Sequence, residues 1–452
     1  MPIFSLPGKY GCGTLGQSAY DFINALKRGG FSYWQVLPLG ITDEYNSPYA
    51  NISSFGGNPY FVDPEMLYEQ GLVSKDELLN EVVGGEHLCR FDVLAKTRYE
   101  FLKKAALRVR DRKHIDAFII KNPHIGGTCE FLALRRTSGG KDDLFAWQFI
   151  QYEFHRQWNE LHAYAKKNGV EIIGDIPFYV SYDSYDVYSA PDQFMLDKDG
   201  KPASVAGVPP DYFSPDGQLW GSPIYNWEKM RSDGYAHWKA RLEYALSLFD
   251  GVRIDHFRAI SAYWSIPYGA KSAVEGHFEK GPSRALIDAI KEVSDGKLIL
   301  AENLGLIDED TEKSLEYSAY PGMAVFQFGF DGSPNSPHLP HNYQNNLFAY
   351  TGTHDNNTLL GFLWELDEGT RRDVLDYLGN PTDAHSAIMR TLLMSAAGTV
   401  IFPIQDILKY GADTRINTPG RADGNWQYRV TREQLEGVDW SFFAHLNKIY
   451  SR

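Results

Sequence analysis

A chain of 452 residues with 43% hydrophobic content buries a large core and is too long for one simple small domain. Its formal net charge of −14 argues against a nucleic-acid backbone as the main ligand, because phosphate binding needs clustered Lys and Arg; a neutral partner fits better. No apolar stretch approaches the roughly 18 to 20 residues of a membrane helix, and the opening MPIFSLPGKYG lacks a basic n-region and an apolar h-region, so a cytoplasmic chain with no membrane partner is expected. Cys12, Cys89 and Cys129 are widely spaced and match no disulfide or zinc pattern, which fits buried, reduced thiols.

In chain order, the pattern SAYDFINALKRGG predicts a helix leading into a strand near Tyr33, and NPYFVD predicts a second strand from Asn58. Phe154, Trp158, Leu161 and Ala165 lie at helical spacing, Gly169 ends that helix, and the strand EIIGD follows. Trp238, Leu242, Ala245 and Phe249 repeat the spacing before GVRID. SRALIDAIKEVSDG precedes KLILAE, MAVFQFGF supplies a strand from Met323, another begins near Phe348, and HSAIMRTLLMSAAG precedes TVIFPIQD from Thr399. Helix then strand with short connections implies right-handed parallel units. Eight strands are expected, starting near Tyr33, Asn58, Glu171, Gly251, Leu298, Met323, Phe348 and Thr399.

Five apolar runs end on an acid, at Asp175, Asp255, Glu302, Asp355 and Asp406. Buried parallel strands read as short apolar runs, so each carboxylate falls where a strand hands over to a loop, which is the catalytic rim of a (β/α)8 TIM barrel. A doubly wound open sheet is the alternative, but it would not place acids at so many strand ends. The whole of 1–452 is therefore expected to be one α/β barrel with two insertions: a charged helical subdomain over 64–144, and a lid or substrate loop over 177–228. That second stretch is rich in Pro, aromatic residues and Asp, has little periodicity, and is expected to lack regular structure.

Cleaving a glycosidic bond requires one protonated carboxyl to release the leaving oxygen and one carboxylate across the sugar carbon. Asp255 and Glu302, on neighbouring strands, supply such a pair. Arg253 lies two residues before Asp255, on the same face of a strand, where its charge favours the ionised carboxylate of a nucleophile. Glu302 ends an apolar strand, where desolvation raises a carboxyl toward general-acid duty. The run Thr353-His354-Asp355-Asn356-Asn357 suits sugar hydroxyls. Asp406 keeps a structural reading, and an aromatic share of 14% leaves rings to stack on sugar faces.

Other chemistries fit poorly. The run Gly11-Cys12-Gly13-Thr14-Leu15-Gly16 matches the dinucleotide pattern, yet no apolar strand precedes it and no acid follows at the required spacing; it reads as a tight turn. No P-loop, HExxH, GxSxG or CxxC motif is present. Asp255, His256, His354 and Asp355 are ligand types found in metal hydrolases, but a His-x-His on the first strand is missing, and no acidic calcium loop is visible. Neither cofactor nor metal is expected.

The residues also resemble the 4-alpha-glucanotransferases (amylomaltases, or disproportionating enzymes) of glycoside hydrolase family 77 in the alpha-amylase clan. The resemblance runs from SLPG through GCGTLG, SPYANISSFGGNPY, GDIPFYV, VAGVPPDYFSPDGQLWGSPIYNW, GVRIDHFR, ILAENLG and GTHDNNT to RINTPG. VAGVPPDYFS with GQLWG is specific to the family, whereas RIDHFR and THDN mark the wider clan. The resemblance implies that Asp255 is the nucleophile, Glu302 the acid/base and Asp355 the transition-state stabiliser. It further implies sugar contacts by Tyr49, Asp175, Arg253, Asn303 and His354, with Trp220 on a lid over the site. The implied donors are maltooligosaccharides and α-1,4-glucans, and the implied acceptors are glucose or maltooligosaccharides. Asn303 and Asn357 stand where the family carries Asp, Ser222 where it carries Asn, and Ala259 where it carries Gly. An α-1,4-glucan hydrolase of the amylase type and an inactive maltooligosaccharide-binding paralogue stay open as alternatives.

Overall fold

The computed structural model describes all residues except 211–214, 306 and 422. Its strands are β1 (Tyr33–Gln35), β2 (Glu171–Ile176), β3 (Ser204–Val208), β4 (Gln218–Pro223), β5 (Gly251–Ile254), β6 (Ala262–Pro267), β7 (His277–Lys280), β8 (Leu298–Ala301), β9 (Gly322–Val325), β10 (Leu347–Tyr350) and β11 (Thr399–Ile401). Strands β1, β2, β5 and β8 pair in parallel in that order, as do β9, β10 and β11. The two ladders meet where Ala301 N–H donates to Pro321 O at 2.9 Å. Inside the barrel the Tyr350 hydroxyl, on β10, donates to Gln35 Oε1, on β1, at 2.9 Å. The result is a (β/α)8 barrel in which seven strand positions, among the described residues, carry ladder hydrogen bonds.

The expected strand at Asn58 is corrected. Pro59–Phe61 is a single 3-10 turn, with the Asn58 side chain accepting from Tyr60 N–H, and Pro64 opens the next helix under an Asp63 cap. The two prolines remove ladder donors and fix φ, while Asn and Asp cap turns, so local chemistry outweighs the apolar pattern.

Alternation along the strands sorts their side chains. Ile173, Leu300, Met323, Val325, Phe348 and Tyr350 pack together inside the barrel. Their neighbours Ile172, Val252, Ile254 and Ile299 face the helices outside. Asp175 follows Ile173 by two positions and Glu302 follows Leu300 by two, so both carboxylates continue the lumen-facing row to the C-terminal mouth. Helices supply the outer ring because their apolar residues fall on one stripe. In Arg284–Ser294 the buried positions are Leu286, Ile287, Ala289, Ile290 and Ser294, and Gly296 at φ +74° turns the chain into β8.

Between β1 and β2 lie the helices Pro64–Glu69, Lys75–Asn80, Phe91–Leu107, Lys113–Lys121, Pro123–Arg136 and Lys141–Lys167. The segment after β2 is more ordered than its sequence suggests: β3 and β4 join β6 and β7 in an antiparallel sheet of order β4-β3-β6-β7. The expectation of an unstructured stretch over 177–228 is thereby corrected. β3 lies between β4 and β6, and the chain runs through the barrel strand β5 before it reaches β6. The pairing is therefore non-local, and local periodicity does not reveal it. The part of this stretch at 211–214, within the motif VAGVPPDYFS, lies outside the described residues.

Buried Arg241, on the helix Ala236–Leu248, fastens the root of this segment. It donates to Pro177 O (2.6 Å), Phe178 O (3.1 Å), the Tyr225 hydroxyl (2.6 Å) and Ser54 Oγ (2.9 Å). These bonds hold the chain just beyond Asp175 against the barrel wall. The three cysteines are free and buried. No helix among the described residues is long and apolar enough to cross a membrane.

Candidate active site

Parallel register sets the centre of the site. Asp175 lies opposite Arg253, and Arg253 opposite Leu300. The Arg253 guanidinium is buried at the mouth. Its Nη1 lies 2.7 Å from Asp175 Oδ2 and 2.9 Å from Asp255 Oδ1, and its Nη2 lies 4.0 Å from Glu302 Oε2. One planar cation thus serves three carboxylates from adjacent strands, a geometry that suits the guanidinium fork better than a lysine ammonium. The Tyr49 hydroxyl donates to Asp175 Oδ2 at 2.7 Å.

The carboxylates differ in surroundings. Asp175 has a side chain only 1% exposed, whereas that of Asp255 is 29% exposed and open to the mouth. Burial pushes both up to about 6, with the Arg253 charge opposing the shift. Arg253 therefore favours the ionised form of Asp255, in the direction expected from the sequence, and tempers its desolvation without overcoming it. Glu302 Oε2 accepts the His256 N–H at 2.7 Å and Oε1 accepts the Leu304 N–H at 2.9 Å. Burial raises the Glu302 carboxyl, while Arg253 and these two N–H groups hold it down.

Asp355 approaches from the loop after β10. Its Oδ2 lies 3.2 Å from His354 Nε2, its Oδ1 accepts from Asn417 Nδ2 at 2.6 Å, and its carbonyl accepts from Arg415 Nη2 at 2.6 Å. Burial acts to raise it, but the neighbouring His354 and the Asn417 bond hold it at about 2. His354 is in turn raised, Asp355 outweighing burial. Tyr49 stacks on the His354 ring with centroids 5.1 Å apart, and Trp426 closes the group at 6.0 Å from Tyr49 and 5.9 Å from His354. Trp220, on β4, is 40% exposed and meets the His256 ring edge-on at 5.0 Å.

The structure therefore gathers Tyr49, Asp175, Arg253, Asp255, Glu302, His354 and Asp355 at one mouth, with Trp220 beside it. Asn303 is turned to the wall, its Oδ1 accepting the Met323 N–H at 2.7 Å. Asn357 is buried with its Oδ1 taken by the Thr358 N–H at 2.8 Å. Asp406 is buried under β10, accepting from Thr351 Oγ1 (2.5 Å) and Leu359 N (2.8 Å). Sequence reasoning assigned no role to Arg415, Asn417 or Trp426. RINTPG was noted as a motif, but nothing in its spacing told that it would fold back onto Asp355. Among the described residues no three His, Cys, Asp or Glu side chains form a metal-holding group.

A barrel mouth bearing several carboxylates of unequal environment around one guanidinium, with aromatic rings on its rim, defines the class of carbohydrate-active barrel enzymes. Comparison with known proteins narrows the class. The family model of glycoside hydrolase family 77, described as 4-alpha-glucanotransferase, matches residues 1–142 and 133–434. The chain is 38% identical to a 4-alpha-glucanotransferase of Clostridium butyricum, with all of both chains covered. It is 38% identical to one of Thermus thermophilus, over 95% of this chain and 94% of that protein. The amylomaltase of Streptococcus agalactiae, solved in complex with acarbose, superposes with a TM-score of 0.96 at 35% identity, covering 100% of this chain and 98% of that one. The chain belongs to glycoside hydrolase family 77, the 4-alpha-glucanotransferases, and is an enzyme of the transferase type.

Proposed function

We propose that this 4-alpha-glucanotransferase moves a segment of an α-1,4-glucan to the 4-hydroxyl of glucose or a maltooligosaccharide by retaining double displacement. The observation that carries the mechanism is the joining of Asp255 and Glu302 through Arg253 at the barrel mouth. Asp255 attacks the anomeric carbon while Glu302 gives its proton to the glycosidic oxygen. The C–O bond breaks, its electron pair leaves with the protonated oxygen, and a glucosyl ester forms on Asp255. Glu302, now ionised, takes the proton of the incoming 4-hydroxyl, whose oxygen attacks the anomeric carbon; the bond from that carbon to Asp255 breaks, its electron pair returning to the carboxylate, and an α-1,4 linkage is restored. Asp355 and His354 grip the ring hydroxyls as the sugar distorts toward the transition state. Tyr49, Asp175 and Arg253 complete the donor pocket, and Asn303 supports it from the wall through its bond to the Met323 N–H.

Residues 64–144 act in this reading as an inserted helical subdomain and residues 177–228 as a lid. Trp220 stands at the rim, where an indole covers a sugar face and keeps water from competing with the acceptor. The natural substrates are maltodextrins derived from glycogen or starch in the cytoplasm, with no cofactor or metal and no nucleic-acid or membrane partner.

Incubation with maltotriose alone tests the reading. A ladder of longer maltooligosaccharides plus glucose at constant reducing ends is expected, and Asp255→Asn and Glu302→Gln each lower transfer by orders of magnitude in a folded protein. Rising reducing ends without a ladder would assign a hydrolase, and unchanged maltotriose a sugar-binding protein.

A further inference from the structure

The ladder between β5 and β8 runs one residue out of step at its end. Ile254 pairs with Ala301, and Glu302 N–H donates to Ile254 O at 3.1 Å. In a regular parallel ladder the next bond to Glu302 O comes from residue 256. Here it comes from Phe257 N–H, at 3.0 Å. His256 is the extra residue of a β-bulge, and its backbone lies in the left-handed region at φ +49° and ψ +49°. The N–H released from the ladder turns to Glu302 Oε2 at 2.7 Å. Glu302 is consequently held at its own N–H and C=O by the two flanks of the bulge, and at its carboxylate by the bulged peptide itself. That same peptide is the one following Asp255. The His256 ring meets the edge of Trp220 at 5.0 Å, so the residue also touches the proposed lid.

We propose that His256 is a positioning residue that aims the Glu302 carboxyl through its bulged peptide N–H and ties that orientation to the seating of Trp220. The inference rests on the reading of Glu302 as acid/base. A bulge beside a reacting group re-aims what the regular strand would point elsewhere. A donor on a carboxylate favours its ionised form, so withdrawing the donor raises the pH at which Glu302 loses its proton. The charged groups facing Glu302 are Arg253, Asp255 and Asp355, and all remain in the variants below. Burial holds the His256 imidazole down at about 4, so replacing it removes no charge where Glu302 titrates.

The test is the pH profile of maltotriose transfer by His256→Ala and His256→Asn. Alanine is disfavoured in the left-handed region and lets the peptide relax, whereas asparagine occupies that region readily. His256→Ala is expected to lower kcat about tenfold and move the basic limb of kcat/KM up by about one pH unit. His256→Asn is expected to return the limb to its wild-type position while KM stays raised, since neither variant restores the ring contact with Trp220. Should the alanine variant not fold, His256→Ser, also disfavoured in the left-handed region, takes its place against His256→Asn, with the limb expected to move up as for alanine. A limb and kcat unmoved in the alanine variant, or moved equally by alanine and asparagine, would overturn the inference. Glu302→Gln separates the two levels: an active Glu302→Gln enzyme removes the acid/base reading itself, whereas an inactive one beside an unaltered His256→Ala enzyme removes only the role of His256.

Discussion

Arg253 Nη1 lies 2.9 Å from Asp255 Oδ1, two positions along one strand direction, so the barrel's lumen-facing row delivers a cation directly beneath the reacting carboxylate. The same nitrogen meets both oxygens of Asp175, at 3.0 and 2.7 Å. Arg253→Lys is expected to lower kcat about 100-fold, because the rigid plane that fixes Nη1 between Asp175 and Asp255 while Nη2 faces Glu302 is replaced by one flexible ammonium. Arg253→Ala leaves Asp175 buried without its counter-charge and is expected to destabilise the fold by about 3–5 kcal/mol. Transfer assays and thermal unfolding check the two outcomes, and a lysine variant at wild-type rate would refute this account of the arginine.

The acidic limb of the pH profile should belong to Asp255 together with Asp175, both raised by burial to about 6 around the one Arg253 guanidinium. Only the ionised form of Asp255 attacks, so kcat/KM is expected to fall about tenfold per pH unit as pH drops below about 6. Asp355, held at about 2, stays ionised throughout and adds no limb of its own. Maltotriose transfer measured from about pH 4.5 to about pH 8 decides the point. Undiminished activity at the acid end is the contrary result.

Asn417 should matter although it carries no charge. Its Nδ2 reaches Asp355 Oδ1 at 2.6 Å, a bond to an ionised acceptor. Asn417→Ala is expected to lower kcat about tenfold, in line with about 1.5–3 kcal/mol for a hydrogen bond to a charged group shared between ground and transition states. Asn417→Asp places a second carboxylate against Asp355 and is expected to be worse. Steady-state kinetics of the pair supply the check; equal activity of the two variants would show that the bond to Asp355 is not what Asn417 contributes.

Asp406 links pH to stability. It is raised to about 6 in the folded chain, chiefly by burial, above its unfolded value near 4. A raised carboxyl contributes stability that is complete below the unfolded value and lost as pH climbs through about 6. A rise of that size corresponds to about 3 kcal/mol. Asp406→Asn keeps an acceptor for Leu359 N–H, and the Thr351 hydroxyl can turn from donor to acceptor. Relative to wild type it is therefore expected to gain stability between about pH 4.5 and about pH 7.5, read by denaturant unfolding at both values. Asp406→Ala orphans the Leu359 N–H and should lose about 1–3 kcal/mol at either pH. A wild-type-minus-asparagine difference that stays constant with pH contradicts the titration of Asp406.

Much of this was written in the local sequence. Parallel barrel strands are buried on both faces, so EIIGD, GVRID and KLILAE appear as apolar runs, and the acid closing each run falls at the mouth because the strand ends there. Period-two alternation alone put Arg253 and Asp255 on one side. The family motifs added the assignment of roles and the sugar contacts. NPYFVD shows the limit of pattern: its apolar residues suggested a strand, but Pro59 and Asn58 made a capped turn.

Tertiary structure decided the rest, because it depends on distances between residues far apart in the chain. Asp355 receives Asn417 and Arg415 from a distant loop near the C-terminus. The proline-rich segment after β2 becomes sheet only when β3 finds β6. Whether Arg253 or desolvation governs Asp255 turns on how deeply the mouth is buried, a property of the packed barrel and of no single stretch of sequence. The sequence by itself determined that Asp175, Asp255 and Glu302 stand at strand ends, since strand periodicity is local, whereas Asp355 falls in the loop beyond β10 and Asp406 in the short helix Ile404–Ile407. Packing alone determined what each of them faces.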